Sequence, residues 1–178
     1  MTPNITPNIT LTKRGFLLSS LAITATGALA MTIRPQGASA AETIEKLVLS
    51  KAQWKERLTP EQFDVLRRAG TEPPWTSAFN DEKRDGLFHC AGCDLALFEA
   101  ATKFESGTGW PSFYDFIPDH LVTKRDFKMI IPRIEYHCAR CDGHQGHVFK
   151  DGPAPTGLRY CNNGVALTFV PAGPDDNA

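Results

Sequence analysis

Arg133-Ile134-Glu135-Tyr136-His137-Cys138-Ala139-Arg140-Cys141-Asp142-Gly143-His144-Gln145-Gly146-His147-Val148-Phe149 is the stretch that decides the fold. It opens with Ile134 and Tyr136 alternating with polar residues, the period of a half-buried strand. A C-x-x-C turn follows, closed by Asp142-Gly143, residues that tight turns use. A second short strand, His147 to Phe149, comes next. Strand, thiol-bearing turn and strand point to a β body.

Outward from this segment the same grain continues. Leu87-Phe88, Ile130-Ile131 and Ala166 to Val170 read as further strands among Gly, Pro and Asp breaks. Residues 50–70 read instead as two short helices divided at Thr59-Pro60. Thr59-Pro60-Glu61-Gln62 has the elements of a capping box, and Gly70 is a plausible stop. Phe63 and Leu66 share a helix face. Thr71 to Asn80, with Pro73-Pro74, reads as loop, Pro171 ends the last strand, and residues 173–177 read as a frayed tail. The expected fold is mainly β, with short N-terminal helices.

The chain has 178 residues and a net charge of −1, with 42% hydrophobic and 22% charged residues, which excludes collagenous, coiled-coil and wholly disordered classes. Residues 1–40 hold Lys13, Arg14 and Arg34 but no acid. A charge-free run from Gly15 to Ile33 follows the first two bases, diluted by Ser and Thr below what a membrane span needs. Ala38-Ser39-Ala40 then offers a small-x-small cleavage site. Residues 1–40 are therefore expected to be a cleaved signal peptide, with 41–178 as one exported, periplasmic domain and no membrane insertion after cleavage. Thr12-Lys13-Arg14-Gly15-Phe16-Leu17 resembles a twin-arginine signal with Lys in the first position. The remaining 138 residues carry 16 bases and 20 acids, a net charge of −4. That balance disfavours nucleic acid as a partner, and no long exposed apolar run calls for more than a monomer.

Cys90-Ala91-Gly92-Cys93 and Cys138-Ala139-Arg140-Cys141 are two C-x-x-C pairs with 44 residues between them. Two such turns supply the four tetrahedral thiolates zinc prefers, so one structural Zn2+ on Cys90, Cys93, Cys138 and Cys141 is expected. The rival is two disulfides in an exported protein. Cys161 is left over. Arg159, two residues before it on an extended strand, can stabilise a thiolate, and Tyr160 and Asn163 can donate hydrogen bonds there. His147, Phe149 and Asp151 fall on one strand face, which could pair an imidazole with an orienting acid. Gly107-Thr108-Gly109-Trp110-Pro111-Ser112-Phe113-Tyr114 gathers three aromatics around a Gly/Pro turn, more often a core edge than a pocket.

Cys90-x-x-Cys93, Thr102 to Phe113, His144-x-Gly146-His147-Val148-Phe149-x-Asp151-Gly152-Pro153 and Arg159-Tyr160-Cys161-x-Asn163 together resemble a B-type methionine sulfoxide reductase, specific for the R epimer. The resemblance spans Leu49 to Val170. It implies two twisted antiparallel sheets, a β-tent with small helices on the N-terminal side. It implies Cys161 as nucleophile, His147 as acid, Arg159 and Asn163 shaping the site, and Asp151 supporting it. Trp110, His144 and Phe149 would contact the substrate, oxidised methionine in proteins or peptides. The product would be methionine and a Cys161 sulfenic acid, recycled by a thioredoxin-like or small-thiol reductant. Three positions depart from the family pattern. Asn162 replaces an aliphatic residue and is expected to loosen strand packing. Asp126-Phe127-Lys128-Met129 lacks the usual Ser, His and Gly, so no substrate contact is carried over to it. Thr108 stands where many members have a resolving cysteine. The alternatives are a zinc-knuckle protein-binding module, which leaves Arg159 to Asn163 and Trp110 idle, and a thiol–disulfide oxidoreductase, which lacks a βαβ pattern.

Overall fold

The computed structural model describes residues 43–127 and 132–173. The segment 1–40 expected to be a signal peptide, the strand expected at Ile130-Ile131 and the tail beyond Gly173 lie outside the described residues. Helices α1 (Lys51–Arg57) and α2 (Pro60–Arg68) bear out the two-helix reading. Each opens on a capping box, Ser50 with Gln53 and Thr59 with Gln62, so both helix starts have their orphan N–H groups satisfied locally. α2 ends at Ala69 in a left-handed conformation (φ 53°), one residue before the expected glycine. Gly70 follows it, its N–H donating to the Asp64 carbonyl at 3.1 Å, and a side chain there would displace only the exposed Asp64 carboxylate. No helix among the described residues is long and apolar enough to cross a membrane.

Apart from three single-turn 3-10 helices and the connecting loops, the rest of the described chain is β. The strands are β1 (Gly86–Cys90), β2 (Ala96–Glu99), β3 (Lys103–Phe104), β4 (Ser112–Phe113), β5 (Leu121–Asp126), β6 (Arg133–Cys138), β7 (His144–Phe149), β8 (Arg159–Asn162) and β9 (Leu167–Pro171). They form two antiparallel sheets, β2-β1-β9 and β3-β4-β8-β7-β6-β5. The inner faces meet in an aromatic core. Phe98 of the small sheet stacks on Phe113 of the large one at 4.1 Å between ring centroids, and Phe88 meets Phe113 edge-on at 5.0 Å. Tyr136 and Tyr160 extend the cluster along the large sheet.

Three strands cannot cover six. Ile134 shares the face of Tyr136 by alternation, yet it is 44% exposed while Tyr136 is fully buried. The strand period was legible, but where the covering sheet stops was not. α2 buries Phe63, Val65 and Leu66, and Leu66 touches the two cysteine turns beside Gly92 and Gly143. The helices thus brace the thiol-bearing end of the sheets.

Candidate active site and metal centre

Cys90 closes β1 and Cys138 closes β6, so each C-x-x-C forms the turn leaving a strand. The N–H groups of Asp94 and Asp142 return to the carbonyls of Cys90 and Cys138 at 2.8 and 3.0 Å. Both aspartates are left-handed (φ 61° and 56°), a conformation Asp adopts more readily than most residues. The turns bring all four Sγ atoms within 4.8 Å of one another. Cys90 and Cys141 stand 3.6 Å apart, Cys93 and Cys138 3.4 Å, and all four are free thiols rather than the two disulfides of the rival reading. Tetrahedral zinc with bonds of ~2.3 Å sets sulfurs about 3.8 Å apart. Hydrogen bonds among the four thiols push Cys90 and Cys138 up and Cys93 and Cys141 down, so without a cation the cluster shares protons and does not carry four thiolates. Its surroundings suit an anionic metal–thiolate centre. Gln145 Nε2 donates to Cys90 Sγ at 3.2 Å. Lys46, Arg57, Arg67 and Arg140 donate to the carbonyls of Ala139, Gly92, Cys141 and Cys93. The cluster can hold a tetrahedral ion such as zinc.

The adjoining strands carry the second constellation. The register of β7 on β8 sets His147 opposite Cys161 and Phe149 opposite Arg159, and β4 sets Ser112 opposite Cys161 on the other side. The β7–β8 approach depends on Gly146, since a Cβ there would collide with the Cys161 carbonyl. A cleft of about 140 Å³ opens over this ladder, lined by Trp110, Arg133, His147, Phe149 and Cys161 with Thr71 at its edge. Burial pushes the Cys161 thiol up from its ordinary pKa, while Arg159 and the Thr108 hydroxyl pull it down without cancelling that rise. Arg159 lies 4.3 Å over the Phe149 ring.

Several expected residues stand elsewhere or do other work. Asp151 does not orient His147; it clamps Arg159 through two hydrogen bonds of 2.9 Å. The acid on His147 is Asp126, whose Oδ2 lies 2.8 Å from Nε2 and also accepts from Arg133 at 2.8 Å. Burial lowers the His147 pKa and Asp126 opposes it. The strand period ranked Asp151 because it lies near in sequence, whereas Asp126 reaches His147 across β6. His144 lies outside the cleft, buried opposite His137 with Nδ1 3.3 Å from Glu135 Oε2. Tyr160 faces the aromatic core, as strand alternation with Cys161 requires, and donates nothing to the cleft. Asn163 borders the cleft but spends its amide on Gln145 O and its Oδ1 on the Glu72 N–H.

Glu72 is the residue sequence reading missed. Its carbonyl accepts from Trp110 Nε1 at 3.0 Å and its carboxylate caps the N–H groups of Gly164 and Val165. One buried acid thereby fixes Trp110 and Asn163 together. Its only signal was an acid placed inside a proline-rich loop. Trp110 belongs to the cleft, not merely to a core edge.

The SelR domain pattern matches residues 58–171. The "Peptide methionine sulfoxide reductase MsrB" of Pseudomonas putida (strain GB-1) is 50% identical over 129 residues, covering 72% of this chain and 98% of the relative. That of Methanosarcina barkeri is 52% identical over 73% of this chain and 90% of its own length. The chain belongs to the B-type methionine sulfoxide reductase family. The chloroplastic "Peptide methionine sulfoxide reductase B1" of Arabidopsis thaliana is 46% identical over 83% of this chain and 74% of its own length. Membership makes the chain an oxidoreductase of the peptide-methionine (R)-S-oxide reductase class.

Among B-type methionine sulfoxide reductases this chain's Asn162 was expected to loosen packing. It does not. It is buried and hydrogen-bonded, with Oδ1 accepting from Tyr136 at 2.8 Å and Nδ2 donating to Asn163 O at 2.8 Å. Its long 3.5 Å approach to Gln145 Oε1 continues the polar chain toward Cys90.

Proposed function

We propose that this protein reduces methionine-R-sulfoxide in exported proteins or peptides, with Cys161 as nucleophile. The observation that carries the reading is the β7–β8 register, which sets Cys161 and His147 side by side under Trp110. A sulfoxide sulfur needs a soft nucleophile, its oxygen must gain a proton to leave, and its methyl group needs an apolar wall. Cys161 passes its proton to His147, which Asp126 orients and helps to charge, as its sulfur attacks the sulfoxide sulfur, and the imidazolium so formed gives that proton to the oxygen. The protonated oxygen then shifts from the methionine sulfur to the Cys161 sulfur as the transient bond between the two sulfurs breaks, so methionine leaves and Cys161 is left as the sulfenic acid. Arg159, clamped by Asp151, favours the attacking thiolate.

Thr108, not a cysteine, is within hydrogen-bonding reach of Cys161, and the other four thiols belong to the metal cluster. An external thiol therefore attacks the sulfenic acid, releasing water and leaving a mixed disulfide, which a second thiol reduces. A thioredoxin-like partner or small thiol supplies both equivalents. Zinc held by Cys90, Cys93, Cys138 and Cys141 has a purely structural role, because every coordination position of that ion is taken by protein. The basic-then-apolar segment 1–40 and its Ala38-Ser39-Ala40 site support export to the periplasm.

The test is incubation of the purified protein with racemic methionine sulfoxide and dithiothreitol, followed by chiral analysis. Loss of the R epimer alone is expected, and Cys161→Ser should abolish it. Consumption of neither epimer, or of S alone, would overturn the assignment.

A further inference from the structure

His144 belongs to the motif that carries His147, yet the cleft does not use it. Its place in the sheet explains what it faces. β6 and β7 pair His137 with His144 and Glu135 with His147, around an irregularity at Tyr136/His137. Glu135 and His137 are two apart on one strand face, so the carboxylate stands between two imidazoles. Glu135 Oε1 lies 3.0 Å from His137 Nε2, and Oε2 lies 3.3 Å from His144 Nδ1. One nitrogen or oxygen from each of the three falls within 4.8 Å of the others.

The orientation of His137 matters most. Its Nδ1 is 3.1 Å from the Asp142 carbonyl oxygen, which can only accept, so Nδ1 carries the proton. Nε2 is then left to turn a lone pair toward a carboxylate oxygen. Among the described residues Nε2 has no partner of hydrogen-bond geometry, although it is buried. Two lone pairs at 3.0 Å call for a cation between them, either a second ring proton or a metal ion shared with His144. A ring N–H on a backbone carbonyl is also the usual way a metal-ligating histidine has its tautomer and plane fixed.

We infer that Glu135, His137 and His144 form a second metal site, separate from the four cysteines, for a divalent transition cation such as zinc. Metal–nitrogen and metal–oxygen bonds of ~2.1 Å put adjacent ligand atoms about 3.0 Å apart at right angles and about 3.4 Å apart in a tetrahedron. The 3.0 and 3.3 Å separations sit within that span. Two imidazoles and one carboxylate suit borderline cations over calcium or magnesium, which prefer all-oxygen shells. The ligands carry one negative charge between them, and the carboxylates of Asp142, 3.8 Å from His137, and Asp126, which bears electrostatically on Glu135, help to balance the ion. Three protein ligands leave at least one position for water. The Glu135 side chain is still 16% exposed, which gives an ion a route in. The site does not rest on the reductase reading.

The experiment uses the purified protein with its cysteine cluster loaded. Equilibrium dialysis against buffered Zn2+ with metal analysis should give two equivalents per chain, and imidazole NMR resonances of His137 and His144 should shift while those of His89 and His120 stay. With Co2+ in place of zinc, the first equivalent should show thiolate-to-metal charge transfer and the second only weak ligand-field bands. Glu135→Gln and His137→Asn should each lose the second equivalent and keep the charge-transfer band of the first. A single equivalent in the wild-type protein overturns the site, as does a second equivalent that survives both variants or leaves the His137 and His144 resonances unmoved.

Discussion

Cys161 is more buried than a freely reactive thiol, and the sign of its pKa shift follows from that. Loss of solvent disfavours the thiolate more than Arg159 and Thr108 favour it, so the folded-state pKa lies above that of an ordinary cysteine in the substrate-free protein. Thiolate is populated only as pH rises through that raised value. Alkylation of Cys161 by iodoacetamide should therefore show a higher midpoint in the folded than in the unfolded protein, and Thr108→Val should move it higher still. A midpoint near 7 would mean that Arg159 outweighs burial. The neighbouring prediction concerns Asp126, which holds His147 Nε2 and is itself held by Arg133. His147→Asn should lower kcat/KM by roughly 10²- to 10⁴-fold through lost proton transfer. Asp126→Asn should cost up to roughly 10²-fold by letting the imidazole drift, with zinc content unchanged. Equal, full activity in the Asp126 variant would remove it from the site. Cys161 and His147 could be picked out from sequence because nucleophile and imidazole announce their chemistry by residue type. Asp126 could not, because a carboxylate reaches its partner through strand pairing that one strand's period does not encode.

At the scale of elements, the active constellation is a matter of register. β7 and β8 bring His147 opposite Cys161 only because Gly146 lets the two backbones close, its α-carbon lying against the Cys161 carbonyl. Gly146→Ala should force the strands apart, since the opposing atom is backbone and cannot swing away. A destabilisation of about 1–3 kcal/mol is expected from such overpacking, seen as a lower denaturation midpoint, together with a larger loss of turnover than of stability. Unchanged turnover would show that the register tolerates the extra methyl group. The two helices were legible because their caps are local in sequence: Thr59 and Gln62 are three residues apart. β2, β3, β4 and β5 were not read as strands. β3 spans two residues, too few to show a period, and β5 exposes Thr123, Lys124 and Arg125 in succession, so its strand character comes from pairing with β6. Asn162 misled for a related reason. A polar residue at a buried strand position reads as a defect until its partners, Tyr136 and Asn163 O, are found.

For the whole molecule the four-cysteine cluster joins what the chain would otherwise connect only through packing. Cys90 ends a strand of the small sheet and Cys138 a strand of the large one, so an ion held by both turns staples the sheets at one end. Structural zinc contributes apparent free energies on the order of 10 kcal/mol, comparable with the whole ~5–15 kcal/mol stability of a domain. An ion bound there would therefore contribute enough to decide whether the fold persists. Chelation should unfold the protein cooperatively, with near-ultraviolet dichroism and Cys161-dependent activity lost together as zinc leaves, and Cys90→Ser should reproduce this. The coupling to activity has a defined route. Gln145, on β7 two residues before His147, donates to Cys90 Sγ, and Asn163 beside the active strand donates to Gln145 O. Loss of the ion removes the anionic sulfur that holds the Gln145 amide and loosens the strand that positions His147. Occupancy of the cysteine cluster, read from the thiolate-to-metal charge transfer of the Co2+-loaded protein, and turnover should fall in proportion across a chelator titration. A zinc-free protein that keeps its denaturation midpoint and its rate would show that the aromatic core alone holds the sheets together.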